Sequence, residues 1–130
     1  MKRHSKVAAQ SVVSLLLLEG QVKGELLSVE ELSRRAKVVV GKGVHIDIAF
    51  LPSSGGDRSY SPEIEAWLGI LQSVRCGEFD MQGRFRLVEG GAKICRDTVH
   101  EASLLFPKDF PKIINALHID MKSIVDSAAV

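Results

Sequence analysis

The sequence predicts an α+β fold that is mostly helical, with one β-hairpin lying between two of its helices. Ser61-Pro62 places a capping serine before a proline, a pair with which helices often begin. Gln82-Gly83 separates two short segments of strand-like composition, as a tight hairpin turn does. Gly90-Gly91 then separates the hairpin from another segment with helical spacing of its apolar residues. The predicted order is therefore helix, hairpin, helix.

The length and composition of the chain fit a single domain over residues 1–130. A chain of 130 residues, 45% hydrophobic and 25% charged, can bury one core. Its formal net charge of +1 excludes a strong overall field that would steer it to nucleic acid or to an anionic membrane. The apolar run over residues 12–18 is too short to span a bilayer, and no small-residue cleavage site follows it. We therefore expect a cytoplasmic protein with no membrane partner.

The first half of the chain predicts two helices and one strand. Apolar residues dominate a helix over residues 5–19, which we expect to end at Gly20. Ser28 and Glu31 have the spacing of a capping box, which predicts a second helix ending at residues 41–43. Alternating apolar residues over 44–50 predict a half-buried strand, and residues 52–57 have the composition of a loop.

The second half predicts a third helix from Ser61-Pro62, a hairpin and two more helices. The third helix has Ile64, Trp67, Leu68, Leu71 and Val74 on one face. The hairpin strands cover residues 78–81 and 84–88, and a fourth helix follows Gly91. On it, Ala92, Cys95, Val99, Ala102 and Phe106 share the face that we expect to be buried.

The last predicted helix covers residues 109–128, with Asp109 as its cap. Its apolar residues step by three and four positions, which is heptad spacing. We expect this seam of apolar residues to pack either within the chain or between two chains. If the seam is exposed on the monomer, it would form the contact of a homodimer. The residues predicted to form this dimer contact are Phe110, Ile114, Leu117, Met121 and Ile124.

The helix start at residues 59–64, the hairpin at 78–88 and Gly90-Gly91 together carry a family resemblance. Over Val7 to Glu101 the chain resembles small archaeal winged-helix proteins and, more distantly, Panacea-like antitoxin domains. It differs from the latter at Asp57-Arg58-Ser59, where they favour Gly-Pro before the tyrosine. The resemblance implies a winged-helix domain with a two-strand hairpin wing and an added C-terminal helix. It also implies that the domain binds DNA or protein without catalysing a reaction.

The resemblance favours a DNA-binding transcriptional regulator that recognises double-stranded DNA. In a winged helix, the helix before the wing enters the major groove and the wing contacts the backbone or minor groove. Arg34 and Arg35 have an alternative role, because they follow Glu30 and Glu31 by four positions and are spaced for pairing within the helix. The candidate DNA-binding residues are Arg84, Arg86, Arg58, Arg75, Gln72, Arg34, Arg35, Lys2 and Arg3.

The charge of the central unit favours a second hypothesis, in which the domain binds protein instead of DNA. Residues 61–103 contain five basic and seven acidic residues, a net charge of −2, whereas phosphate contacts require cations. Glu63 and Glu65 lie on the third helix itself. An acidic helix suits a basic protein partner, so the alternative is an interaction module of the antitoxin or assembly-subunit type.

No residue pattern predicts a catalytic, metal or cofactor site. His45 and Asp47 share a strand face but lack a third ligand at a typical spacing. Asp97, His100 and Glu101 lie close together on a helix, where solvated surface is the simpler interpretation. We therefore expect a protein that is not an enzyme and binds no cofactor.

The two cysteines leave one alternative open. Cys76 and Cys95 lie outside any Cys-x-x-Cys pair, which favours reduced thiols in or near the core. Because both flank the hairpin, a disulfide between them is the other interpretation.

Overall fold

The computed structural model describes residues 6–52 and 59–128, and it confirms a mostly helical α+β fold. A small antiparallel sheet and two pairs of very short strands accompany the helices. In chain order the elements are β1 (Val7–Ala8), α1 (Ala9–Lys23), β2 (Leu27–Ser28), α2 (Val29–Gly41), β3 (Ile46–Asp47), β4 (Leu51–Pro52), β5 (Ser59–Tyr60), α3 (Pro62–Ser73), β6 (Gly77–Phe79), β7 (Arg84–Leu87), α4 (Gly91–Leu105), α5 (Asp109–Leu117) and α6 (Met121–Ala128).

Helix α1 is the centre of the fold. Every residue from Ser11 to Gly20 is buried, because α3, α4 and α6 pack around it. The predicted end at Gly20 was wrong, since the helix continues for another turn to Gly24, whose φ of 72° ends it in the left-handed conformation. A Cβ atom on Gly20 would lie 2.9 Å from the carbonyl oxygen of Glu25. Gly20 therefore allows a close backbone approach inside the helix and does not end it.

Helix α2 begins at the predicted capping box. The Glu31 amide donates to the Ser28 hydroxyl at 3.1 Å, and the Ser28 amide donates to the Glu31 carboxylate at 3.0 Å. Ser33, in the next turn, is buried, and its hydroxyl accepts a 3.0 Å hydrogen bond from the amide of Ser61. This bond ties α2 to the residue that caps α3.

The strand predicted over residues 44–50 is much shorter than expected. Only Ile46–Asp47 pair in a ladder, in parallel with β1, so that Val7 lies opposite Ile46. The Ile48 amide bonds to the carbonyl of Ile46, which turns the backbone out of the ladder. Of the predicted loop over residues 52–57, only residue 52 is among the described residues, and it belongs to β4, which pairs with β5.

Helix α3 begins as the sequence predicted. The Ser61 hydroxyl accepts from the Ile64 amide at 3.3 Å, and Pro62 takes the first helical position. Ile64, Leu68 and Leu71 are buried against the core, as expected. Val74 was wrongly placed on this face, because the helix ends there and its side chain is exposed.

The hairpin joins β2 in a three-stranded antiparallel sheet of order β2-β7-β6. Its turn is one residue longer than predicted. The Asp80 amide bonds to the Arg84 carbonyl at 2.8 Å, which leaves a loop of three residues, Met81, Gln82 and Gly83. Gly83 has a φ of 78°, which suits glycine at the last position of such a loop.

The helix predicted over residues 109–128 is two helices, so that prediction was wrong. His118 adopts a φ of 56° and ends α5. The Asp120 carboxylate then accepts bonds from the Lys122 amide and the Ser123 hydroxyl, at 3.1 and 2.7 Å, which begins α6. At the other end, Lys108 and not Asp109 occupies the capping position of α5.

The break redirects the apolar seam into the core of the same chain. Helix α6 turns back to contact α1 and α4, while α5 contacts α2. Leu117 and Ile124 are buried, and Phe110, Ile114 and Met121 are partly buried against the core. The five residues predicted for a dimer contact therefore pack within one chain, and dimerisation through them stays a prediction.

Candidate interaction surface

The outward side of α3 carries a line of small and apolar residues, which we call the α3 stripe: Ala66, Gly69, Ile70 and Ser73. Each of them is three or four positions from two of the others, so they share one face of the helix, opposite the buried Leu68. All four are exposed, and Ile70 retains 51% of its accessible surface. A Cβ atom on Gly69 would have no neighbour within 4 Å. The stripe is thus open to a close approach from outside.

A shallow groove runs beside the stripe, between α3 and the start of α1. Ala66, Trp67 and Ile70 line it from α3, and Ala8, Ala9 and Gln10 from the α1 side. The indole N–H of Trp67 donates to the Ser14 hydroxyl at 3.1 Å, which fixes the side chain. The charged residues described at the edge of the groove are two carboxylates, Asp47 and Glu63. The groove therefore combines an apolar floor with a negative edge.

Glu63 is held in place by two hydrogen bonds at the start of α3. The backbone amide of Ala49 donates to its carboxylate at 3.0 Å, and the Ser61 hydroxyl donates to the same oxygen at 3.0 Å. The Ala49 bond, more than any other cause, holds the pKa of Glu63 below its ordinary value. The negative charge at this edge is thus stabilised and fixed in position.

The two arginines predicted to contact DNA from the hairpin are paired with carboxylates of the same hairpin. Arg84 donates from Nε to the Asp80 carboxylate at 2.9 Å. Arg86 donates from Nε to the Glu78 carboxylate at 2.8 Å, across the ladder in which these two residues are opposite. These surface pairs reduce the positive charge that the hairpin presents to a phosphate backbone.

Arg35 has a different partner from the one expected. It was expected to pair with Glu31, but the Glu31 carboxylate belongs to the capping box. Arg35 instead donates at 3.1 Å to Glu19, which is buried on α1 and also pairs with Lys23 at 3.2 Å. Arg35 therefore joins α2 to the central helix.

The remaining DNA-binding candidates are dispersed along the chain. Arg34 is exposed on α2, Gln72 is exposed near the end of α3, and Arg75 follows that helix with a φ of 63°. Lys2, Arg3 and Arg58 lie outside the described residues. Three of the predicted cations, Arg35, Arg84 and Arg86, are thus in ion pairs, while Arg34 and Arg75 face solvent.

The histidine, cysteine and acidic side chains do not form a metal site in the described part of the chain. Over residues 6–52 and 59–128, no group of three or more histidine, cysteine or acidic residues is placed to hold an ion. Cys76 and Cys95 are both free thiols. Burial raises the pKa of Cys95 to about 11, which makes it a poor nucleophile at neutral pH.

Comparison with known proteins found no match to this chain. No protein-family model, curated protein or solved structure matches the chain. No helix among the described residues is long and apolar enough to cross a membrane.

The α3 stripe was not predicted, although its signal is present in the sequence. The outward positions of α3 that were weighed for contact with DNA are charged and polar ones, including Glu63, Glu65 and Gln72. Ala66, Gly69 and Ile70 lie between them at helical spacing, on the side away from the predicted core face. The helical spacing of the outward residues therefore predicts the stripe, as the spacing of the inward residues predicts the core face.

Proposed function

We propose that this chain is a non-enzymatic, winged-helix-type interaction module that docks an amphipathic helix of a protein partner on the α3 stripe. The observation that carries the proposal is the outward face of α3, which is small, apolar and edged by carboxylates. Helices dock into apolar grooves through anchors at this spacing, and small residues permit close approach. The carboxylates Asp47 and Glu63 favour a partner helix whose apolar face is flanked by lysine or arginine.

The order of elements supports the winged-helix part of the proposal. Helix α1, strand β2, helices α2 and α3 and the β6–β7 hairpin follow one another, and β2 pairs with β7. An insertion over residues 42–60, containing β3, β4 and β5, separates α2 from α3. That insertion supplies Asp47 at the groove and the amide that fixes Glu63, so it contributes to the proposed docking surface.

DNA binding is the second candidate function, and exposed arginines at the end of α3 and on the hairpin favour it. Arg75 lies where α3 leads into the hairpin, and Arg84 and Arg86 remain exposed despite their ion pairs. Against it, a helix in the major groove would place Glu63 and Glu65 near phosphates. The α3 stripe also offers no side chain for bidentate hydrogen bonds to bases.

Photo-crosslinking tests the docking surface directly. A benzophenone amino acid replaces Ile70 in one variant and Met81, the fully exposed tip of the hairpin, in a matched control. We expect one protein to be crosslinked from position 70 and not from position 81. That protein, identified and purified, should bind the chain through a helix with basic flanks. Equal labelling from both positions would contradict docking on α3.

Two charge substitutions then separate the candidate functions. Gly69→Arg puts a long cation into open space on the stripe, and Met81→Arg adds the same charge at the hairpin tip. We expect Gly69→Arg to abolish partner binding with unchanged circular dichroism, and Met81→Arg to leave it intact. Binding to random duplex DNA that falls steeply with salt, and that Arg75→Ala removes, would replace the proposal with the DNA-binding function.

A further inference from the structure

A pocket of about 180 Å³ lies where the β2–β7 ladder ends, beside the last turns of α1. Strand β7 continues to Leu87, but β2 pairs only with Arg84 and Phe85. The segment that leads from α1 to β2, residues 24–26, lines the pocket on the side away from β7. An apolar cavity of roughly 150 Å³ takes up a benzene molecule, so this pocket has room for a group of that size. Its apolar side chains are those of Leu16, Leu17, Leu26, Leu27, Phe85 and Leu87.

The register of the hairpin fixes the direction in which the backbone of Leu87 points. The Val88 amide donates to the Cys76 carbonyl at 3.0 Å, and hydrogen-bonded pairs alternate with non-hydrogen-bonded pairs along an antiparallel ladder. Leu87, which lies opposite Gly77, therefore forms a non-hydrogen-bonded pair with β6. Its N–H and C=O both point to the other side of β7, where β2 and the pocket lie.

The backbone of Leu87 has no hydrogen-bond partner on that side. Leu27 lies opposite Phe85, so two more residues of ladder would pair Leu87 with Glu25. The Glu25 amide instead donates to the Gly20 carbonyl at 2.7 Å, which turns this residue towards α1. No group in the described part of the chain hydrogen-bonds to the N–H or C=O of Leu87. The pocket therefore presents one donor and one acceptor, side by side, that the protein does not satisfy.

The charged side chains around the pocket favour a neutral ligand. Arg86 is its cation, and the guanidinium group is already paired with the Glu78 carboxylate at 2.8 Å. Glu25 is its carboxylate and is exposed to solvent, where an ion pair contributes little. Gln21, the other polar side chain of the lining, is uncharged. Neither an anionic nor a cationic group therefore gains much by entering.

We propose that this pocket binds a small neutral amide whose apolar body is about the size of a benzene ring. A primary amide carries an N–H and a C=O on one edge, so it pairs with both backbone groups of Leu87, as a residue of a neighbouring strand does. The apolar body lies against Leu16, Leu17 and Phe85. The site shares no residue with the groove beside the α3 stripe, and its ligand joins the end of α1 to the hairpin.

Titration of the isotope-labelled whole chain with benzamide and with acetophenone, followed by amide NMR, tests whether the amide group is recognised. The two probes share the ring and the carbonyl, but acetophenone has a methyl group in place of the amide nitrogen. We expect benzamide to bind about fivefold more tightly or better, because acetophenone leaves the Leu87 carbonyl without a donor. Equal affinities, or no binding of benzamide, would overturn the proposal.

The same spectra report where benzamide binds. The Leu87 amide resonance should shift as benzamide is added, because its N–H donates to the ligand. The amide of Gly69 is the control, since it lies on the exposed α3 stripe and outside the pocket. A Leu87 resonance that stays in place, or equal shifts at both amides, would refute the site.

A pair of variants on α1 tests whether the apolar body occupies the pocket. Leu17→Trp fills part of this pocket, and Leu18→Trp makes the same change at the next residue, which lines a different pocket beside α4. We expect the first to weaken benzamide binding about tenfold or more, since the larger side chain takes the space of the ring, and the second to leave it unchanged. Undiminished binding to Leu17→Trp would refute the pocket. If either variant fails to fold, the benzamide-to-acetophenone ratio and the Leu87 resonance of the unchanged chain decide.

Discussion

Helices α1 and α3 use small residues in opposite ways. In α1, Gly20 lies against the Glu25 carbonyl, and every residue from Ser11 onward to that glycine is buried. In α3, Gly69 lies on the side away from the core and meets no atom within 4 Å of where its Cβ would be. A small residue in a tightly packed helix indicates a close contact that is made within the chain. The same residue on a bare helix face leaves room for a contact with another molecule.

Shortening one apolar side chain on each helix gives the largest expected contrast. Leu15 on α1 retains 1% of its accessible surface, whereas Ile70 on α3 retains 51%. Leu15→Ala should lower the free energy of unfolding by about 2–5 kcal/mol, because it removes buried contacts and leaves a cavity. Ile70→Ala should lower it by less than about 0.5 kcal/mol. Urea unfolding followed by circular dichroism measures both, and similar losses would mean that Ile70 is covered within the chain.

Alanine at the two glycines sharpens the contrast, because it should change stability in opposite directions. Gly69→Ala should raise the free energy of unfolding by roughly 0.5–1 kcal/mol, since alanine favours a helix and the space is open. Gly20→Ala gains the same propensity but places Cβ 2.9 Å from a backbone oxygen. Moving that backbone should outweigh the gain and destabilise the chain by about 1–3 kcal/mol. Stabilisation by both substitutions would show that α1 is less tightly packed than its geometry implies.

The parts of the fold that local chemistry determines were predictable from the sequence. Ser28 with Glu31, and Ser61 with Pro62, supply their hydrogen bonds within a few residues, so the starts of α2 and α3 were correct. The end of α1 was not, because Gly20 and Gly24 both suit a helix end, and the chain uses Gly24 with the Glu25 backbone folded back onto Gly20. The break at His118 was also missed, because heptad spacing continues across it and hides the local helix start that Asp120 provides for α6.

The candidate site was less predictable, because its properties depend on which groups become neighbours. The sequence showed Arg84 and Arg86 as alternating cations, but their pairing with Asp80 and Glu78 follows from hairpin register and loop length. A two-residue loop would have paired the strands differently.

The smallest predicted effect concerns the acidic start of α3. The pKa of Glu63 is lowered in the folded chain, chiefly by the Ala49 amide, so the folded state favours its ionised form. Such a group adds stability that is fully present above the pKa of the unfolded chain and is lost as the pH falls through the lower folded value. The ordinary value for glutamate is about 4.3, so the loss should begin near that pH and continue below it.

Glu63→Gln should therefore be less stable than the unchanged chain near neutral pH, and the difference should shrink as the pH falls below about 4. The effect should be small, because Glu63 is exposed to solvent. Urea midpoints measured at a series of pH values detect it, with Glu65→Gln as the control, since that exposed carboxylate lacks the Ala49 bond. A difference that stays constant with pH would mean that Glu63 acts through its shape, and the fixed negative edge of the groove would then lose its electrostatic basis.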